Sequence, residues 1–220
     1  QALKDAGKKI VFVNFSGSPI GLEPEMQNSE AIVQAWYPGQ SGGKAVAEVL
    51  FGKYNPSGKL PVTFYKNVHQ LHDFENYNMK GRTYRFMDSI PLFPFGHGLS
   101  YSAYKYGNVK LSRKSITETD SITVSVAIKN TGKMDGDEVV QVYLKKTDDN
   151  RGPNKTLRAF RKVHIAAGKT EKVQISLSAK QLEWWNSDAV KMDFVSGQYE
   201  IMVGGNSEKE KLMKRKLILQ

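Results

Sequence analysis

Residues Pro91–Tyr101 read PLFPFGHGLSY, and this stretch divides the chain. Two prolines, two glycines, three aromatics and a histidine fall within it. Proline and glycine fix unusual backbone, and the aromatics supply surface to bury, so the pattern predicts an ordered junction. A flexible linker is rich in serine and glycine and poor in aromatics. On this reading Phe93, Phe95 and Tyr101 are expected to be largely buried anchors.

Upstream of the junction, apolar runs alternate with helix-like segments. Lys8–Ser16 (KKIVFVNFS) and Ala31–Tyr37 (AIVQAWY) are continuous apolar runs of the kind found in strands covered on both faces of a parallel sheet. Between them, Pro19, Pro24, Glu23 and Glu25 mark a loop leading into a helix start. Pro38–Gly43 is a glycine turn, and Lys44–Phe51 carries Ala45, Val46, Val49 and Leu50 at helical spacing before Gly52 closes it. Strand, glycine turn and helix in succession are α/β grammar. Asn55–Gly58 is a turn and Leu60–Tyr65 reads as a short strand. Residues 66–90 have no clear period.

Downstream, period-2 segments follow one another: Ile122–Ile128, Val139–Leu144, Leu157–Ile165, Val173–Leu177, Tyr199–Val203 and Leu212–Leu219. Glycines 132, 136, 168 and 197 fall at the turns, and the one helical interruption is Ala179–Trp185. About seven strands in this length predict an immunoglobulin-like or fibronectin type III sandwich. The expected architecture is therefore a partial α/β layer over 1–90, a junction over 91–101 and an all-β sandwich over 102–220. At the N-terminus, QALKDAGKK reads as the tail of a helix with Gly7 at its C′ position, so the chain is expected to begin inside a domain.

The absence of cysteine excludes disulfides, thiolate zinc sites and thiol nucleophiles. The net charge of +10 lies mostly beyond residue 101, where 22 basic residues face 14 acids. These lysines are interspersed with acids at strand ends. Solvated strand faces are the preferred reading over nucleic-acid binding, for which there is neither a groove-reading helix nor an aromatic-basic motif. No apolar run is long enough to span a bilayer.

The ordered motifs VNFSGSP, AWYPGQSGG, VLFG, NPSGKLPVTF, TYRF, PLFPFGHGLSY, NTGKMDGDEVVQVYL and GQYEIMVGG resemble the C-terminal part of glycoside hydrolase family 3 over essentially the whole chain. KGRTYRF, GPNKTLRAFRKVHI and WWN are most similar to its bacterial β-xylosidase-like members. The resemblance implies an exo-acting β-glucosidase or β-xylosidase, commonly periplasmic or secreted, working on terminal β-glycosidic bonds of an oligosaccharide. It also implies a nucleophilic aspartate on an N-terminal (β/α)8 barrel and an acid/base glutamate upstream of the strand that VFVNFSGSP matches. Neither position falls in this sequence, so no catalytic residue, cofactor or metal ligand is assigned. The expected partners are the barrel and the upstream half of the α/β domain.

Other candidates carry a bland reading beside the sharp one. Glu23, Glu25 and Glu30 lie where an α/β sheet presents ligand groups, but acids at helix starts are commonly solvated. Gly39-Gln40-Ser41-Gly42-Gly43 fits the G-x-S-x-G elbow of a serine esterase, with His69, His72 or His97 as base and Asp73 as orienter. A structural turn is preferred, since three glycines in five residues match easily. His69 and His72 are read as exposed loop histidines rather than metal ligands. Asp135, Asp137 and Glu138 are read as a hairpin turn rather than a calcium loop. Trp36, Trp184 and Trp185 can stack on sugars, though core positions are commoner. His97 is expected to bond to neighbouring backbone. A second functional class, a non-catalytic module binding carbohydrate or protein, also fits the sandwich.

Overall fold

A computed structural model describes residues 1–220. The chain opens with a single helical turn, α1 (Ala2–Asp5), closed by Gly7 at φ +67°, a backbone conformation that glycine adopts without cost. Then come β1 (Val11–Asn14), α2 (Glu23–Asn28), β2 (Ala31–Gln34) and α3 (Gly42–Leu50). Strands β1 and β2 pair in parallel, with Val11 opposite Ala31 and Asn14 opposite Gln34. They form a sheet of only two strands. The expectation that both faces are covered fails here: Val11 is 51 % exposed, and Phe15 just beyond it is also exposed. Parallel strands carry apolar residues on both faces for packing, and these residues offer helices for only part of that surface.

The short strand expected over Leu60–Tyr65 is a loop with a single bridge, Phe64 to Phe93. It does run beside the junction: Leu60 N–H donates to His97 O at 2.8 Å, Gly96 N–H to Leu60 O at 2.8 Å and Phe64 N–H to Phe93 O at 2.9 Å. A continuous ladder is blocked because Pro61 and Pro94 have no N–H to donate. Past it, one 3-10 turn (Val68–Gln70) and one helical turn, α4 (Thr83–Phe86), stand in otherwise irregular chain. Arg82 clamps that loop by donating to the carbonyls of Asn76 and Asn78.

Beyond the junction the strands are β3 (Tyr104–Tyr106), β4 (Lys110–Leu111), β5 (Ser115–Ile116), β6 (Ser121–Asn130), β7 (Gly136–Lys146), β8 (Thr156–Ile165), β9 (Thr170–Ser178), β10 (Trp184–Asn186), β11 (Lys191–Asp193), β12 (Gly197–Gly204) and β13 (Met213–Leu219). One sheet has the order β5-β13-β12-β7-β8. In the other, β3 and β4 share one edge of β6, and β9 pairs with its opposite edge. The six period-2 segments seen in the sequence are the six long strands. The short β3, β4 and β5 and the β10-β11 hairpin had no period to reveal them. The helix expected over Ala179–Trp185 is a 3-10 turn, Ala179–Leu182, closed by a Ser178/Gln181 capping box, and Trp184 already belongs to a strand.

The sandwich core follows from the alternation. Ile122, Val124, Val126 and Ile128 point inward from β6 against Val140, Val142 and Leu144 of β7 and Ile201, Val203, Leu217 and Leu219 of the other sheet. Each such side chain contributes roughly 1.5–3 kcal/mol on burial. Asn130, fully buried, closes the β6–β7 turn by donating to the Met134 and Ile165 carbonyls and accepting from Gly132 N–H.

Candidate functional site

The α/β part, the junction and the sandwich meet at a concavity of about 560 Å³. Met26, Tyr84, Phe93, His97, Lys155 and Met202 are among the residues that line it. The junction aromatics divide their work across it. Phe93 packs edge-on to Phe64 at 6.2 Å, and Phe64 in turn meets Trp36 at 6.1 Å, on the α/β side. Phe95 stacks on Tyr84 at 4.3 Å and joins the buried Tyr143, Met202 and Leu212 on the sandwich side. Tyr101 departs from the expected anchor: it is 48 % exposed and reaches back through its hydroxyl, which donates to Val49 O at 2.6 Å. Its polar tip is held while its ring stays wet. Gly98 has no room for a side chain, since a Cβ there would collide with the Gly58 carbonyl oxygen.

Polar groups complete the joint. Asn55 accepts from Ser100 Oγ and Tyr101 N–H and donates to Ser102 Oγ and Asp135 O, so one amide ties four points together. Lys59 Nζ lies 3.5 Å from Glu138 Oε2 and donates to Gly98 O, while the Tyr106 hydroxyl donates to Glu138 Oε1 at 2.9 Å. The Lys59 and Glu138 side chains are 15 % and 5 % exposed. Burial pushes the Glu138 carboxyl above its ordinary range, against the opposing pull of Lys59 and Tyr106.

His97 bonds through its backbone, while its ring stacks on Phe93 at 5.2 Å. Burial first, then the Lys59 and Lys211 charges, lower its pKa, with Glu208 opposing. The native state therefore resists the proton that the unfolded chain accepts near pH 6.5. Stability owed to neutral His97 is complete above that pH and is lost as pH falls below it, until native His97 protonates too. His97→Gln is expected to flatten this limb of the stability curve. An unchanged difference between wild type and variant across pH 5–7.5 in urea titrations would remove His97 from the account.

The structure separates the other candidates. Glu23 and Glu25 lie in the first turn of α2, and Glu23 accepts from Asn67 Nδ2 at 3.2 Å, while Glu30 is exposed. Ser41 stands at the N-cap of α3 without a side-chain cap bond and is not hydrogen-bonded to any histidine. His69, His72 and Asp73 are exposed on their own loop. Ser41→Ala is accordingly expected to change stability by no more than about 0.5 kcal/mol, and a fluorophosphonate is expected to leave Ser41 unlabelled. Stoichiometric labelling lost in Ser41→Ala would revive the esterase. Around the β7 start, Asp135 accepts from Ala167 N–H, Asp137 pairs with Lys162 and His164, and Glu138 pairs with Lys59. These three carboxylates go to different partners. Trp184 is 2 % exposed and donates to Asp149 at 2.7 Å, while Trp185 is 51 % exposed. Trp36 sits at φ +56° as the chain leaves β2. The roles of Lys59, Glu138 and Asn55 carried no sequence signal, because each reads locally as an ordinary strand-end or turn residue.

Taken as a class, this is a two-part chain in which a small α/β unit is bonded through Asn55, Lys59 and the 91–101 stretch to a fibronectin-like β-sandwich. Residues 1–101 match the glycosyl hydrolase family 3 C-terminal domain, and residues 138–207 match the fibronectin type III-like domain. The chain belongs to glycoside hydrolase family 3, of whose C-terminal part it carries both units. It is 48 % identical over 219 residues to a xylan 1,4-β-xylosidase of Xylanibacter ruminicola, covering 100 % of this chain and 25 % of that protein. It is 36 % identical to a periplasmic β-glucosidase of Salmonella typhimurium, over 96 % of this chain and 29 % of the other. A solved β-glucosidase structure from Erythrobacter marinus superposes with a TM-score of 0.86 at 40 % identity, over 100 % of this chain and 29 % of that one. The chain thus spans about a quarter to a third of the length of these relatives.

Proposed function

We propose that the protein carrying this chain is an exo-acting β-glycosidase releasing terminal β-D-xylosyl or β-D-glucosyl residues, xylosides foremost, and that these 220 residues are its scaffold. The observation that carries this reading is the 48 % identity to the xylosidase across the entire chain. In a retaining mechanism one carboxylate attacks the anomeric carbon while a second, protonated, delivers its proton to the leaving oxygen, the two standing about 5–5.5 Å apart. Four acids of this chain are held by other groups. Asp137, Glu138 and Asp149 are held by Lys162, Lys59 and Trp184, and Glu23 by Asn67. That distribution supports a catalytic pair supplied by a barrel and the upstream half of the α/β domain. The units of this reading are 1–90, the 91–101 junction and the 102–220 sandwich.

The exposed apolar surface of the first hundred residues supports the same partner. Phe51 is 88 % exposed and Phe74 93 %, and Phe15, Tyr37 and Leu99 are also exposed. Such a surface is one that a larger assembly covers. The test is aryl β-xyloside and β-glucoside hydrolysis by the 220-residue chain alone and by the same chain supplied with the upstream segment. Activity is expected only in the second case. Turnover by the chain alone, abolished by substituting Glu23, Glu25 or Glu30, would move the active site into these residues. Saturable xylan affinity of an isolated 102–220 segment would favour the binding-module reading.

A further inference from the structure

On the outer face of the five-stranded sheet, lysines from four segments line one cavity. In β7 and β12, Val142, Leu144, Ile201 and Val203 point into the core, so Tyr143, Lys145, Glu200 and Met202 lie on the opposite face. Tyr84 and Phe95 pack on Tyr143 and Met202 there. The concavity of about 560 Å³ lies over the same face. Into its lining come Lys145 of β7, Lys155 just ahead of β8, Lys209 of the 3-10 turn Lys209–Lys211 and Lys214 of β13. The junction side adds Ile90, Leu92 and Phe93.

These lysines are not matched one to one by acids. One step beyond Leu144 and Thr156, the last β7-β8 pair, the register sets Lys145 opposite Lys155, and like charges directly opposite each other destabilise a sheet. On its other side Lys145 faces Glu200, which Lys214 also approaches to 4.0 Å. That one carboxylate is shared between two lysines and leaves Lys155 with none. Of the other acids in the lining, Glu208 pairs with Lys211 at 2.7 Å and Asp88 accepts from Asn154, while Glu210 is exposed. Lys145, Lys155 and Lys209 have no carboxylate within ion-pair distance, and Lys155 is half-buried. Burial first, then the Lys209 charge, depress the Lys155 pKa; Glu210 opposes them less strongly than Lys209 acts, and Lys145 and Lys214 add to the depression. The net field at this ammonium is therefore that of other cations.

We propose that Lys145, Lys155 and Lys209 form a binding site for an anionic sugar, one that carries a carboxylate or a phosphate ester. The cavity falls within the roughly 300–1,000 Å³ of small-molecule sites and is far larger than a bare ion needs. Its apolar residues from the junction suit the carbon face of a sugar ring, and the ammonium groups suit the anion, to which they give charge-assisted hydrogen bonds. The site is independent of the glycosidase reading, since it involves no catalytic group.

Calorimetry on the intact protein that carries this chain tests it, with sodium D-glucuronate and D-glucose 6-phosphate as probes and sodium phosphate as the bare anion, all at matched ionic strength. Saturating D-glucose and D-xylose are present throughout, so that a glycosidase active site is filled and the probes report on this cavity alone. One anionic sugar is expected to bind per chain, and Lys155→Met or Lys145→Gln is expected to weaken it about tenfold or more. Lys155→Arg, which keeps the charge, is expected to retain binding. Lys110→Gln, which removes an exposed charge from β4 on the other sheet, is expected to leave it unchanged. Tighter binding of glucuronate assigns the site to a carboxylated sugar, and tighter binding of the phosphate ester to a phosphorylated one. Because it relieves like-charge repulsion, Lys155→Met is also expected to keep or raise the Tm without ligand, so loss of binding can be separated from loss of fold. Absence of saturable binding of either sugar, sodium phosphate binding as tightly as both, or an equal loss in Lys110→Gln overturns the proposal.

Discussion

Replacing Lys59 with methionine is expected to destabilise the protein by about 3–5 kcal/mol, the cost of leaving a buried carboxylate without its cation. Lys59 sits on the α/β side of the joint and Glu138 at the start of β7, so their 3.5 Å contact spans the two parts. Neither side chain can turn to water, because both are largely covered. Losing the cation also removes the largest influence that lowers the Glu138 pKa, so the carboxyl is expected to titrate still higher in the variant. A raised carboxyl pKa favours the native state at low pH: as pH falls toward 4.5, native Glu138 takes up its proton before the unfolded chain does. The Lys59→Met variant should therefore recover stability on acidification relative to wild type. The double variant Lys59→Met/Glu138→Gln keeps the Tyr106 hydrogen bond and removes the orphaned charge, and is expected to return to within about 1 kcal/mol of wild type. Chemical denaturation of the four proteins of this cycle is the measurement. A Lys59→Met variant within about 0.5 kcal/mol of wild type at pH 7 would show that the pair carries nothing.

Phe95→Ala is expected to cost about 3 kcal/mol, the low end for a core phenylalanine because the ring is only partly buried. The ring stacks on Tyr84 and packs against Tyr143, Met202 and Leu212, and its carbonyl accepts from Ser207 N–H at 2.9 Å. One side chain thereby holds α4, the junction and the sandwich together. Its loss should also uncouple the two parts, so a single unfolding transition is expected to divide into two, with the α/β part melting first. A single transition with a shift below about 1 kcal/mol would mean that the junction tolerates a cavity and that the backbone bonds alone hold the joint.

Much of the architecture could be read from residue order because it depends on local rules. The period-2 pattern of Ile122–Ile128 places four side chains on one face of any strand, and in this fold that face is the core. Gly52 at φ +70° ends α3 where the helical spacing stops. The structure departs from the local pattern where non-local partners decide. Pro61 on one segment and Pro94 on the other, neither with an N–H to donate, prevented the Leu60–Tyr65 strand, and the residues that fix the β10-β11 hairpin lie too close together to show a period.

By itself, the sequence determined the family, the succession from α/β layer to sandwich, and the absence of cysteine chemistry, since each of these is written in residue type and order. Tertiary structure alone decided which polar groups meet. Lys59 and Glu138 are 79 positions apart, and Asn55 and Asp135, whose carbonyl it bonds, are 80, in a chain where sequence pattern reaches only a few residues. Whether a charge is paired or orphaned depends on burial and on which loop crosses which strand. Tyr101 shows the same division: its aromatic character promised burial, but the geometry of the joint left its ring in water and held only its hydroxyl.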